Sequence, residues 1–193
     1  SECMDDIVKQ AMAKWPNVPH CYGWLGLDGR GQWFLRDAEA QACGGFASGI
    51  EGAKGNVLRH DKLIEFINRN YLSESDGCWF FQNGPQRVYV ELQYAPWVWR
   101  LNLQGSEQGV QLQAHTGQSL SLQQVSECVL DEAGSLYLAT PLGLGLVHTQ
   151  DMLDAAQLLE QGLLRPPVEI SAEQLTERFD FVRSPQQAQT GQN

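Results

Sequence analysis

A short pattern that predicts a β-hairpin occurs three times in the chain. In each copy a glycine follows an acidic residue by one to three positions, and a run of aromatic or aliphatic residues comes next. The copies are "GQWFL" at 31–35, "GCWFF" at 77–81 and "GSLYL" at 134–138, after Asp28, Asp76 and Glu132. Glycine adopts the positive φ of tight turns, and such runs favour strands. Each copy therefore predicts a hairpin, and the unequal spacing of the copies argues against a solenoid.

The remaining segments predict helices and further strands. Hydrophobic spacing predicts helices over residues 3–15, over 56–72 with Asn56 as the N-cap, over 149–164, and from a capping box at 171–174. The glycine-rich residues 38–55 predict a long loop. "RVYVELQ" at 87–93 alternates like a half-buried strand, with Tyr89 and Glu91 facing outward. These elements predict an α+β fold in which antiparallel β-hairpin repeats form one or two small sheets packed with three to four helices.

The length and composition predict one domain. A chain of 193 residues with 42% hydrophobic content is long enough to bury a sizeable core. We therefore expect a single compact domain over residues 1–183, made of repeated helix and hairpin units, which could divide into halves 1–75 and 76–183. The final segment "SPQQAQTGQN", residues 184–193, is almost entirely polar, so it predicts a disordered tail.

The charge of the chain excludes some classes of partner. Thirteen lysines and arginines oppose 23 aspartates and glutamates, which gives a net charge of −10. This charge opposes non-specific binding to nucleic acid or to an anionic membrane surface. No apolar run approaches the ~20 residues of a membrane span, and the first residues lack the pattern of a signal peptide. The sequence therefore predicts a cytoplasmic protein with no nucleic-acid partner and no membrane partner.

The cysteine pattern agrees with that compartment. The five cysteines are scattered, odd in number and without a C-x-x-C pair. This pattern predicts reduced thiols. Cys21 and Cys78 lie among aromatic residues, where a cysteine commonly packs as a small hydrophobic residue.

The segment that contains the second hairpin resembles known families. Val88-Tyr-Val-Glu91 and Ala95-Pro-Trp97 follow the aromatic run at 77–81. This order resembles small bacterial domain-of-unknown-function families built from repeated helix and β-hairpin motifs, in which a run with the sense V-x-V-E-x-x-x-A-P-W/F follows the same kind of hairpin. The likeness covers residues 20–165. It implies an α+β fold with antiparallel strands, and such families carry no assigned enzyme activity, with a signalling or ligand-sensing role only suggested for them.

No motif in the chain predicts catalysis, a metal or a cofactor. The four histidines, at positions 20, 60, 115 and 148, are far apart, and adjacent residues such as His20 and Cys21 point to opposite faces of a strand. "SGIEGAKGN" at 48–56 has the wrong glycine spacing for a phosphate loop, and glycine follows Lys54 where serine or threonine is needed. We therefore assign no catalytic residue, no metal site and no cofactor.

Two groups of residues remain as candidates for binding. Cationic or polar side chains gather near the predicted start of the second helix, where free N–H groups favour an anion: Lys54, Asn56, Arg59, His60 and Lys62. Surface carboxylates such as Asp61 and Glu65 could instead neutralise this cluster. The second group is a sheet face that would be either core or an exposed patch: Trp79, Phe81, Arg87, Trp97 and Trp99. Within it, Arg87 is the residue that the hairpin pattern does not explain.

These observations lead to two hypotheses of different class. The first is a non-enzymatic regulatory or signalling-type module that binds a protein partner or a small-molecule ligand on the sheet face or at the 38–55 loop, and that could form a homodimer. The alternative is a cytosolic hydrolase or transferase with a site assembled from scattered residues such as His20, Cys21, Asp28, Arg36 and Asp37. The lack of any motif favours the binding module.

Overall fold

The structure, a computed structural model, describes residues 4–103 and 109–191. The described α-helices are α1 Asp6–Lys14, α2 Ala38–Cys43, α3 Asp61–Arg69, α4 Met152–Glu160, α5 Leu175–Arg178 and α6 Pro185–Thr190. The described strands are β1 Cys21–Leu27, β2 Trp33–Leu35, β3 Asn56–Val57, β4 Tyr71–Ser73, β5 Trp79–Asn83, β6 Gln86–Leu92, β7 Trp97–Asn102, β8 Gln111–Ala114, β9 Ser119–Ser121, β10 Glu127–Leu130, β11 Leu136–Thr140, β12 Gly143–Val147 and β13 Val168–Glu169. Short 3₁₀ turns precede α4 and α5. The α+β class is as predicted.

The chain divides into two compact units. The first comprises residues 1–28, 32–93 and 181–193, and the second comprises residues 29–31 and 94–180. The boundary at residues 93 and 94 differs from the expected halves, and the chain returns to the first unit at its C-terminal end. The expectation of a single domain over residues 1–183 stays a prediction.

Each unit contains one sheet, and both sheets are larger than predicted. The first unit has a six-stranded sheet in the order β3-β2-β1-β6-β5-β4, here called sheet A. The second has a seven-stranded sheet in the order β13-β10-β11-β12-β7-β8-β9, here called sheet B. The prediction of purely antiparallel strands is wrong, because β1 pairs with β6, β10 with β13, and β12 with β7 in parallel. Sequence periodicity predicts strands but not the direction in which distant strands pair.

The three predicted hairpin turns are confirmed. Gly31, Gly77 and Gly134 each precede a returning strand, and their φ values are +81°, +82° and +82°. These values lie in the left-handed region, which glycine enters without a steric penalty. The strands on either side of each turn pair antiparallel, as β1 with β2, β4 with β5, and β10 with β11.

An aspartate side chain holds the first and third turns in the same way. Asp28 Oδ1 accepts a hydrogen bond from the Gln32 N–H at 2.8 Å, and Asp131 Oδ1 accepts one from the Ser135 N–H at 2.8 Å. In the third copy this acidic residue is Asp131, one position before the Glu132 that the pattern indicates. A short carboxylate that bonds nearby backbone N–H groups is a common reason for aspartate in turns.

The central strand of sheet A is covered on both faces. The sequence predicts that Tyr89 and Glu91 face outward from β6, but both are buried, and Glu91 is only 2% exposed. The prediction is wrong because other segments cover these two side chains: Tyr89 packs in a cluster with Cys78 and Phe80, and the C-terminal segment that forms α6 covers Glu91. A period of two identifies the faces of a strand but does not tell whether a later segment covers one of them.

Three local predictions need correction. The helix expected to begin at Asn56 begins at Asp61, and Asn56 lies on β3. The expected loop at 38–55 contains α2, whose N-cap Asp37 accepts a hydrogen bond from the Ala40 N–H. The expected disordered tail contains α6, with Ser184 as the N-cap and Pro185 buried. Residues 192 and 193 of that predicted tail, and Cys3 of the predicted first helix, lie outside the described residues.

The helices of the described chain are short compared with a helix that crosses a bilayer. Such a helix needs about 20 mostly apolar residues. None of the helices in residues 4–103 and 109–191 is both long enough and apolar enough to do so.

Candidate functional site

The aromatic candidates on sheet B are part of its core. Trp97 and Trp99 are buried and stacked, with ring centroids 6.0 Å apart and planes 5° apart. The indole Nε1 of Trp97 donates to the Leu142 carbonyl at 2.9 Å, and that of Trp99 donates to the Leu138 carbonyl at 3.0 Å. A buried tryptophan needs a partner for its N–H, and both have one within sheet B. Neither ring offers an exposed surface for a ligand.

The aromatic candidates on sheet A are also buried. Phe81 packs edge-on against Phe66 of α3, with centroids 5.5 Å apart, and Trp79 lies 5.0 Å from Tyr71. Both side chains are directed to the face of sheet A that packs with α3. Of the five predicted sheet-face residues, only Arg87 therefore keeps an accessible polar group.

Arg87 lies on the opposite face of sheet A, over an aromatic floor. Its guanidinium carbon is 4.3 Å from the ring centroid of Phe80, and its Nη1 donates to the Tyr89 hydroxyl at 3.3 Å. Its Nη2 donates to Glu74 Oε1 at 2.6 Å. The Arg87 side chain is 23% exposed and that of Glu74 is 50% exposed, so this ion pair is at the rim of the site.

Other ring systems extend the same floor. Tyr22 stacks on Tyr89 with centroids 4.6 Å apart, and His20 lies 6.0 Å from Tyr89 in an edge-on arrangement. Partial burial lowers the pKa of His20, and the nearby charge of Arg87 lowers it further by a smaller amount. Partial burial, followed by the neighbouring Tyr89, raises the pKa of Tyr22. We call the surface formed by these side chains the Arg87 face; it consists of His20, Tyr22, Glu74, Phe80, Arg87 and Tyr89.

Four thiols of the described chain are free, and the two buried ones are not activated. Cys21, Cys43, Cys78 and Cys128 form no disulfide. Burial raises the pKa of Cys78 to about 11, with a smaller contribution from Asp76, and burial raises the pKa of Cys128 to about 11. A thiol with such a pKa stays protonated near neutral pH and is a poor nucleophile.

The predicted anion site is not assembled around free helix N–H groups. The N-cap of α3 is His60, whose Nδ1 accepts a hydrogen bond from the Leu63 N–H at 3.2 Å. Lys54 Nζ lies 3.8 Å from Asp28 Oδ2 and 4.8 Å from the Phe34 ring centroid. Of the remaining candidates, Arg59 and Lys62 are exposed near the start of α3, while Asn56 pairs in β3. The predicted residues therefore do not surround one common position for an anion, and the anion site stays a prediction.

The residues proposed for an assembled catalytic site have structural contacts instead. Arg36 is 1% exposed, and its guanidinium donates to the carbonyls of Gly23, Gly44 and Ala53 at 2.9, 2.6 and 2.9 Å. Asp37 caps α2, and Asp28 holds the first hairpin turn. Of this set, His20 alone belongs to the Arg87 face, where its Nδ1 accepts from the Arg87 backbone N–H at 3.2 Å. In the described part of the chain, no cluster of three or more histidine, cysteine, aspartate or glutamate side chains could hold a metal ion.

The second unit contains a groove that the sequence did not indicate. Strand β13 is the edge strand of sheet B and pairs only with β10 among the described strands. Two cavities of about 420 and 440 Å³ adjoin it and share Glu169, Ile170 and Gln174 as lining residues. We call this region the β13 groove. Val168, on the edge strand itself, is 59% exposed, so the groove also presents an apolar side chain.

The groove is acidic. Glu169 and Glu177 line it and are exposed, and neither takes part in an ion pair within the described residues. Glu132 Oε2 accepts a hydrogen bond from the Ala172 N–H at 2.9 Å, and Arg178, the cation that also lines the groove, pairs with Glu127. The surplus of carboxylates makes the local potential negative.

Sequence reasoning missed this groove because its two sides are distant in the chain. One side comes from the β10 turn and the other from residues 168–178, and parallel pairing of Val129 with Val168 joins them. The sequence itself contains acidic residues in both segments. Their proximity is not visible in the sequence, because β13 is only two residues long and has no strand periodicity.

The fold and these two surfaces define an α+β protein with two mixed sheets and free thiols in the described residues. A family model, DUF2944, described as "Protein of unknown function (DUF2946)", matches residues 4–186, and the chain belongs to this family. The resemblance to domain-of-unknown-function families that the sequence predicts is therefore confirmed.

Two solved structures are similar to the chain. One is a DUF1285 family protein from Silicibacter pomeroyi DSS-3, with a TM-score of 0.49 and 14% identity over 76% of this chain and 75% of that one. The other is a DUF1285 family protein from Shewanella baltica OS155, with a TM-score of 0.44 and 12% identity over 74% of this chain and 97% of that one. No curated protein matches the chain at a significant level.

Proposed function

We propose that the protein is a non-enzymatic binding module whose partner is an extended, basic protein segment, and that this segment docks on the β13 groove. The observation that carries the proposal is that the edge strand β13 lies beside two cavities whose lining is acidic. The alternative of a hydrolase or transferase has no comparable support, because Asp28, Arg36 and Asp37 already make structural hydrogen bonds.

Edge strands bind extended peptides through their free backbone groups. A peptide added beside β13 would form main-chain hydrogen bonds, and its alternate side chains would point to opposite faces of the sheet. The two cavities that share Glu169 and Ile170 are of a size to receive such side chains. The exposed Val168 would contact an apolar side chain of the same peptide.

The charge of the groove selects the partner. Lysine or arginine side chains on the peptide would face Glu169 and Glu177, neither of which has a described ion-pair partner. The net charge of −10 would also attract a basic segment during encounter. Such attraction is screened beyond ~8 Å at physiological salt, so binding should weaken as salt is raised.

The test is a titration with a capped peptide of alternating lysine and valine, followed by NMR and calorimetry. We expect saturable shifts in residues 168–178, and no binding of a matched peptide of alternating glutamate and valine. The double variant Glu169→Lys and Glu177→Lys should weaken the lysine peptide by at least about tenfold, because like charges then face each other.

The matched control changes the charge by the same amount elsewhere. Glu39→Lys with Glu51→Lys alters two exposed glutamates of the first unit and should leave the affinity nearly unchanged. Equal weakening by both double variants would mean that only the net charge matters, and would overturn the groove. The protein could also self-associate, and the groove variant could abolish that association. This result would identify a second copy of the chain, and not a basic segment, as the partner of the groove.

A further inference from the structure

The Arg87 face contains an ion pair in which the carboxylate of Glu74 is half exposed and the side chain of Arg87 is mostly covered. Arg87 lies over the Phe80 ring and donates a hydrogen bond to the Tyr89 hydroxyl, so its guanidinium is held on the side that faces sheet A. Glu74, half exposed in the turn between β4 and β5, reaches it from the solvent side at 2.6 Å. The arginine is therefore positioned by sheet A, while its carboxylate partner comes from a turn.

The guanidinium has donors to spare. An arginine has five N–H groups, and the described side-chain hydrogen bonds of Arg87 use only those to Tyr89 and Glu74. Arginine binds a carboxylate best through two parallel hydrogen bonds. Glu74 makes one described bond, so a carboxylate that approaches the fork squarely can form a better contact than Glu74 does.

We propose that Arg87 is a binding site for the carboxylate of a ligand that also has an aromatic body, and that Glu74 occupies this position when the ligand is absent. Glu74 itself shows which chemistry the site accepts, since it places a carboxylate on the guanidinium. The half-buried Tyr22, stacked on Tyr89, and the exposed His20 provide the surface for the aromatic part.

Displacement of Glu74 requires little free energy. Ion pairs that are largely exposed to water contribute little to stability, and Glu74 is 50% exposed. The net charge of −10 opposes an anion at long range, but salt screens charges more than ~8 Å away. The local contact with Arg87 therefore decides binding. This site lies in the first unit and does not depend on the proposed β13 groove, so either can fail alone.

The test compares benzoate with benzamide, which has the same shape without the charge, in NMR titrations of the full chain that follow the backbone amide signals of residues 20–22 and 87–89, which every variant retains. Benzoate should produce a saturable shift, and benzamide should not. Glu74→Gln removes the competing carboxylate and should tighten benzoate binding about threefold. Arg87→Gln should abolish it. If Arg87→Gln unfolds the chain, the effect of Glu74→Gln on benzoate affinity still tests the proposal, because that variant retains Arg87.

Arg69 supplies a matched control. It also pairs with an acidic residue, Asp5, and lies over a ring, Phe66. Arg69→Gln should leave benzoate binding unchanged. Benzoate binding that is insensitive to Glu74→Gln, or equally reduced by Arg69→Gln, would overturn the proposal, as would equal shifts with benzamide. A capped peptide with glutamate beside phenylalanine that competes with benzoate would identify a protein side chain as a source of the carboxylate, and benzoate binding alone would identify a small molecule.

Discussion

Ser184 donates a hydrogen bond from its hydroxyl to Oε1 of Glu91 at 2.5 Å, although the two residues are 93 positions apart in the chain. The Gln186 N–H donates to the other carboxylate oxygen at 3.2 Å. These bonds attach the C-terminal segment to β6, the strand that pairs in parallel with β1. A buried carboxylate thus holds the segment that the sequence predicts to be disordered.

The titration of Glu91 should make stability depend on pH. Burial raises the pKa of Glu91 above its ordinary 4.5, although the bonds from Ser184 and Gln186 oppose this. The folded protein therefore keeps a proton that the unfolded chain has lost, and the free energy of unfolding falls as pH rises from 4.5 to the folded pKa. Glu91→Gln should remove this slope, which is at most about 1.4 kcal/mol per pH unit. Urea unfolding at several pH values measures it, with the exposed Glu65→Gln as a control that keeps the slope.

The titration of His115 should change stability in the opposite direction. Burial lowers the pKa of His115 to about 3. Below the ordinary value of 6.5, the unfolded chain binds a proton that the folded chain does not, so stability is lost as pH falls from 6.5 towards 3. His115→Asn keeps an acceptor for the Val98 N–H and should flatten this part of the pH profile. The exposed His60→Asn is the control. A profile that His115→Asn leaves unchanged would contradict the prediction.

The Arg36 guanidinium should determine the order of the segment from Gly44 to Ala53. Arg36→Lys cannot reach all three carbonyls, and buried acceptors left unpaired are costly. We expect a loss of about 1–3 kcal/mol in the free energy of unfolding for each carbonyl left unpaired, together with faster hydrogen exchange at residues 44–55. The exposed Arg59→Lys should change neither quantity. Retained protection at 44–55 in Arg36→Lys would show that other contacts order this segment.

Two glycines should respond differently to alanine because their constraints differ. A Cβ at Gly145 would lie 2.2 Å from Trp99 Nε1, so Gly145→Ala must displace a buried ring and should cost about 3 kcal/mol. A Cβ at Gly134 would have no neighbouring atom within 4 Å, but φ is +82°, so Gly134→Ala should cost only about 1–2 kcal/mol of backbone strain. Thermal unfolding of both variants gives the comparison. Equal losses would mean that the Trp99 contact relaxes.

Local chemistry in the sequence determined the hairpins. The glycines at 31, 77 and 134 follow turn-forming acidic residues and precede strand-forming runs, so their function needs only neighbours within a few positions. The same is true of the capping box at Ser171, which the structure contains. The sequence predicts strand β6 for a similar reason, since its periodicity lies within one short segment.

The sites could be predicted only in part. Arg87 was singled out because the hairpin pattern left it unexplained, and it is the one predicted sheet-face side chain with an accessible charge. Its partners were not predictable, because Glu74 and Tyr22 reach it from another turn and another strand. The same holds for the β13 groove, whose acidic residues come from segments joined by a two-residue strand.

The sequence by itself determined the turns, most helices and strands, and the acidic charge, because these depend on residue type and short-range spacing. Tertiary structure alone decided that β1 pairs in parallel with β6, that Glu91 is buried, and that residues 185–190 form a helix. The physical reason is that burial depends on what a distant segment covers. The alternation in β6 marks two faces, but only the packing of α6 and its N-cap shows that Glu91 is shielded from water.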